Sequence, residues 1–77
     1  MDKARLKWLC RRGMKELDVL MERYLAGRYD TAPEVERNAF IELLNCEDPD
    51  IWAWVMGFDA LPAGERGAVV EQLRLYR

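Results

Sequence analysis

Between Glu16 and Ala26 the apolar residues Leu17, Leu20, Met21, Tyr24 and Leu25 recur at i, i+3, i+4, i+7 and i+8, and this stripe constrains the fold most. Only a helix of about 3.6 residues per turn brings those five side chains onto one face. A half-buried strand needs alternation with period two, and no segment keeps that up long enough to build a sheet. The stripe must be buried against something, so the partners have to be other helices.

Glycine, proline and capping residues divide the chain into about five such pieces. The first covers residues 3–12, with Leu6, Leu9 and Cys10 on one face and Arg5, Trp8 and Arg12 on another. Gly13 interrupts it, where a residue without Cβ lets the backbone take φ > 0 or lie close against another surface. The second runs from about Glu16 to Ala26, with Gly27 as its natural stop. Thr31-Ala32-Pro33-Glu34 has capping-box spacing, which predicts a third helix over 32–45 burying Val35, Ala39, Phe40, Leu43 and Leu44.

Asp48-Pro49-Asp50 reads as N-cap, N1 and a first-turn carboxylate, opening a fourth helix through Trp52, Trp54, Val55 and Met56 that closes at Gly57. Two positions apart on a helix, Trp52 and Trp54 cannot both face inward, so one is expected at the surface or in a groove. After Leu61-Pro62-Ala63-Gly64 a fifth helix begins near Glu65 and buries Val69, Val70, Leu73 and Tyr76. The expectation is an all-α, compact five-helix bundle forming a single domain over 1–77.

Residue inventory removes several function classes. Histidine and serine are absent and Thr31 is the only threonine, so hydroxyl–imidazole nucleophilic machinery cannot be assembled. Cys10 and Cys46 are the only soft ligands, too few for a zinc site. No carboxylate sits in an apolar run that would raise its pKa for acid–base work. The chain reads as a non-enzyme. A domain of 77 residues has no room for a deep substrate cavity, and without a GxGxxG loop no tightly bound dinucleotide cofactor is expected.

No apolar run approaches the ~20 residues needed to cross a bilayer, so direct membrane insertion is not expected. Met1-Asp2-Lys3-Ala4-Arg5 lacks the apolar core of a secretion signal, and two cysteines then point to a reducing, cytoplasmic setting. Cys10 reads as a small hydrophobe beside Leu6 and Leu9, and Cys46 as packing at a helix end.

Charge is unevenly distributed. Residues 1–16 carry Lys3, Arg5, Lys7, Arg11, Arg12 and Lys15 against Asp2 and Glu16, a net +4, which leaves −6 on the remainder of a chain whose total is −2. Trp8 among these cations has the chemistry to stack on a base while they track phosphates, but the acidic remainder repels a long polyanion, and no nucleic-acid partner is expected.

Two segments taken together carry a resemblance. Lys3-Ala4-Arg5-Leu6, Trp8 and the run Cys10-Arg11-Arg12-Gly13-Met14-Lys15-Glu16-Leu17-Asp18 are followed by Leu43-Leu44-Asn45-Cys46-Glu47-Asp48-Pro49-Asp50-Ile51-Trp52 and Trp54. From about residue 3 to 76 the chain resembles the SdhE family of FAD assembly factors, also known as YgfY or CptB, which has mitochondrial counterparts. The hallmark RGxxE falls on Arg12, Gly13 and Glu16, and its combination with the downstream DPD segment is more specific than either half.

The resemblance implies a five-helix chaperone that promotes covalent attachment of FAD to a histidine of its client. That client would be the flavoprotein subunit of succinate dehydrogenase or, in bacteria, fumarate reductase, bound by a monomer through the RGxxE surface. An alternative is a protein-interaction module such as the antitoxin of a toxin–antitoxin pair. On the chaperone reading the candidate partner-binding residues are Arg5, Trp8, Arg12, Gly13, Glu16, Asp48 and Asp50. Arg12 would pair with a client carboxylate and Glu16 with a client cation, while Asp48 and Asp50 are equally accounted for by helix capping.

Overall fold

The stripe from Leu17 to Leu25 lies on a helix, α2 (Lys15–Gly27), and all five of its apolar residues are buried. The structure, a computed structural model, describes residues 2–76; Met1 and Arg77, the two ends of the expected domain, lie outside the described residues. Around α2 stand α1 (Lys3–Leu9), α3 (Glu34–Leu43), α4 (Asp48–Met56) and α5 (Glu65–Arg74), with no strand among the described residues. The expected all-α bundle of five helices is therefore the fold. Helix α5 is its hub, packing against α2, α3 and α4. Tyr24 stacks on Phe40 at 4.5 Å between ring centres and meets Tyr76 edge-on at 6.2 Å, joining α2, α3 and the C-terminal turn.

Boundaries follow local chemistry. Asp2 caps α1 by accepting the Arg5 backbone N–H at 2.8 Å. That helix stops at Leu9 rather than running to residue 12, because the Arg12 N–H donates to the Asp18 carboxylate instead of a backbone carbonyl and Gly13 adopts φ +88°. At the other end of α2, Gly27 is the last helical residue and not a left-handed stop. Its small size serves packing, since a Cβ there would lie 3.3 Å from the Tyr76 ring.

The capping box at Thr31 does not form. Thr31 belongs to a 3-10 turn (Tyr29–Thr31) and its hydroxyl donates to the Arg28 carbonyl at 3.1 Å, so Pro33 stands at the N-cap of α3 and the helix is shorter than expected at both ends. Its buried face holds Ala39, Phe40, Leu43 and Leu44 as expected, but at its N-terminal end Val35 is 58% exposed and Glu36 is buried in its place. Asp48 is the first residue of α4 and Glu47 its N-cap, whereas Gly57 closes the helix at φ +81° as expected. Trp52 and Trp54 are both half-buried, and Tyr76 is only partly covered. Cys10 is fully buried, and burial pushes its thiol up to about 11, in keeping with a packing residue.

Gly67, inside α5, allows a closer approach than any other glycine of the chain. A methyl group there would sit 2.3 Å from the Pro62 carbonyl oxygen. In an open helix Gly→Ala stabilises by about 1 kcal/mol; here Gly67→Ala should instead destabilise by about 1–3 kcal/mol through overpacking. Urea denaturation followed by circular dichroism measures the sign, and a raised midpoint would show that the Pro62 segment yields without strain.

Candidate partner-binding site

Arg12 sits where four helix ends meet. Its Nε donates to Asp48 Oδ1 at 2.7 Å, Nη1 to the carbonyls of Leu44 at 2.6 Å and Leu9 at 3.3 Å, and Nη2 to the Cys46 carbonyl at 2.5 Å. Its backbone N–H reaches Asp18 Oδ1 at 2.5 Å. The last carbonyls of a helix lack partners within it. One planar guanidinium therefore satisfies the C-terminal ends of α1 and α3 and the first carboxylate of α4, while its own amide ties the turn to α2. A lysine, with a single point charge, cannot reproduce that fan. The Arg12 side chain is only 13% exposed and that of Asp48 26%, so this pair is largely withdrawn from solvent.

The turn held in this way presents Gly13. No heavy atom lies within 4 Å of where a Cβ would stand, so the positive φ and not crowding selects glycine, and its outer face is open. Glu16 follows one turn along in the first turn of α2, exposed and with no hydrogen-bond or ion-pair partner among the described residues. On α1, Arg5 is exposed and Trp8 is 72% exposed, beside exposed Lys7 and Arg11. An exposed indole of this kind carries a large apolar face that water covers poorly.

A family model described as flavinator of succinate dehydrogenase matches residues 4–77. The chain belongs to this family. Similar curated relatives carry the name FAD assembly factor SdhE. That of Shewanella oneidensis is 43% identical over 74 residues, covering 96% of this chain and 90% of the relative. That of Xylella fastidiosa is 41% identical over 70 residues, covering 91% and 72%. That of Idiomarina loihiensis is 52% identical over 56 residues, covering 73% and 62%. The resemblance carried by RGxxE and the DPD segment thus identifies the right family.

Within the flavinator family frame, the candidate residues separate into two groups. Arg12 and Asp48, far apart in sequence, are bonded to each other, so the Arg12 guanidinium expected to meet an external carboxylate already has one from its own chain. Gly13, Glu16, Arg5, Trp8 and Asp50 have exposed positions, Asp50 in the first turn of α4. Sequence reasoning missed Asp18, whose spacing of six from Arg12 fits no helical pair rule.

It also missed the cluster in which Arg28 donates twice to buried Glu36, at 2.7 and 2.9 Å, while the Tyr24 hydroxyl donates at 2.6 Å. The Arg28 guanidinium, and then the Tyr24 hydroxyl, hold the Glu36 carboxyl below the usual carboxylate range despite its burial. Among the described residues no helix is long and apolar enough to cross a membrane, and no three His, Cys, Asp or Glu side chains are placed to hold a metal.

Proposed function

We propose that this protein promotes covalent attachment of FAD to the flavoprotein subunit of succinate dehydrogenase, and in the same way to that of fumarate reductase. In this reading it is not an enzyme but a monomeric cytoplasmic assembly factor that holds no tightly bound FAD of its own, binds no nucleic acid and does not insert into the membrane. Family membership supports the role, and one structural observation supports the place: an open glycine at φ +88° beside a carboxylate with no partner among the described residues, both braced by the Arg12 fan. Gly13 admits the client's surface, Glu16 takes a client cation, and Arg5, Trp8 and Asp50 widen the footprint. Arg12 and Asp48 hold the turn in shape.

Such a protein needs no reacting group. Flavin attachment requires the client histidine, the flavin methyl carbon and a stabilised anionic flavin in reacting geometry. Binding that geometry more tightly than others shifts the client toward it, and ~3 kcal/mol of preference raises the competent population about a hundredfold.

Glu16→Ala alters an exposed side chain without partners among the described residues, so the melting temperature should stay within about 3 °C. Covalent flavin on the client should fall at least about tenfold, as loss of one charged contact predicts. In-gel flavin fluorescence of denatured flavoprotein subunit from cells carrying the variant measures this. Undiminished fluorescence would refute docking through Glu16.

A further inference from the structure

Glu16 also borders a surface groove of about 520 Å³ between α2 and α4, lined by Lys15, Glu16, Val19, Leu20, Arg23 and Trp52. We infer that this groove receives a segment of the client flavoprotein presenting one bulky apolar side chain next to a carboxylate, so that docking begun at Gly13 continues along α2. The inference rests on the proposed function, because the groove shares Glu16 with the surface assigned there.

Three observations carry it. The floor is apolar, made by Val19, the nearly buried Leu20 and the half-buried Trp52, and its volume suits a large side chain. The two ends differ in charge. Lys15 and Glu16 stand together at the N-terminal end, so that end is neutral overall, whereas Arg23, two turns away and about 11–12 Å along the axis, has no ion-pair partner among the described residues.

Arg23 has one Nη1 contact, to the Tyr76 carbonyl at 2.9 Å, which orients the guanidinium without neutralising it. A carboxylate is its complement. Finally, spacing i, i+4, i+8 puts Lys15, Val19 and Arg23 in one row on α2, so an occupant crossing the floor meets charge, apolar surface and charge in turn. A neutral apolar peptide would leave Arg23 desolvated without an anionic partner, and a basic one would be repelled there.

The test measures affinity for purified apo flavoprotein subunit of succinate dehydrogenase by titration calorimetry, using Val19→Lys, Arg23→Glu and Gly13→Arg. Melting curves confirm that each variant is folded, and light scattering follows self-association. Val19→Lys and Arg23→Glu should each weaken Kd at least tenfold, as should Gly13→Arg. If only Gly13→Arg weakens binding, the groove assignment is overturned and the proposed function stands. If no variant weakens binding, both fall. If the groove variants abolish self-association of this protein while client affinity is kept, the groove belongs to a second copy of this chain and the inference is overturned.

Discussion

Arg12→Ala should lower stability by about 3 kcal/mol, a shift of roughly 12–24 °C in melting temperature for a domain of this size. The substitution leaves Asp48, only 26% exposed, without its cation and strips the carbonyls of Leu9, Leu44 and Cys46 of their shared donor. Removing one partner from a withdrawn pair is worse than never having had it, because the remaining charge stays desolvated. A domain of 77 residues is stable by only about 4–12 kcal/mol, so this single change removes a large fraction of the total. Arg12→Lys can pair with Asp48 but not span the carbonyls, and should recover less than half of the loss. Calorimetric melting decides the matter. A melting temperature unaltered in Arg12→Ala would mean that Arg12 is a client contact and not a brace.

Glu36→Ala should cost about 2–3 kcal/mol, since it removes a charged acceptor and leaves the Tyr24 hydroxyl in the core without one. Glu36→Gln keeps the shape and isolates the charge. Because the folded-state pKa of Glu36 is lowered, its contribution is complete above the unfolded glutamate value of about 4.3 and is lost as pH falls through the folded value. The stability gap between the parent and Glu36→Gln should therefore be full at pH 7 and narrow as acid is added below pH ~4.3. Urea midpoints measured across that range provide the check. A gap that stays constant down to acid pH would show that the carboxylate is not held ionised by Arg28.

Much of the fold was legible because its signals are local. The α2 stripe, the left-handed Gly57 and the start of α5 each depend on residues within one or two turns. Thr31 failed as a cap for an equally local reason: it belongs to the 3-10 turn, which leaves it two residues short of the N-cap position that Pro33 takes. The turn of α3 that buries Glu36 instead of Val35 was not legible, since it is driven by Arg28 eight residues earlier and by Tyr24 twelve earlier.

At the candidate site the resemblance placed Arg12 and Asp48 in motifs, yet nothing in linear order says that residues 36 apart pair with each other. Gly13 could be read in both senses from its flanks, and only the dihedral and the empty space beside it separate a required conformation from a close internal contact. Gly67 carried no sequence signal, because its constraint comes from the Pro62 carbonyl across a turn.

The reach of the Arg12 bonds has a kinetic side. Its side-chain partners at Leu44, Cys46 and Asp48 lie 32, 34 and 36 residues along the chain, so none can form until a long loop has closed and three helix termini have converged. The guanidinium thus rewards only assemblies whose helices are already in their final arrangement and nucleates none of them. Its removal belongs in the unfolding limb of a chevron, with the refolding rate nearly preserved. Over time, the corner that presents Gly13 acts as a latch, engaging only after the helices it joins have met.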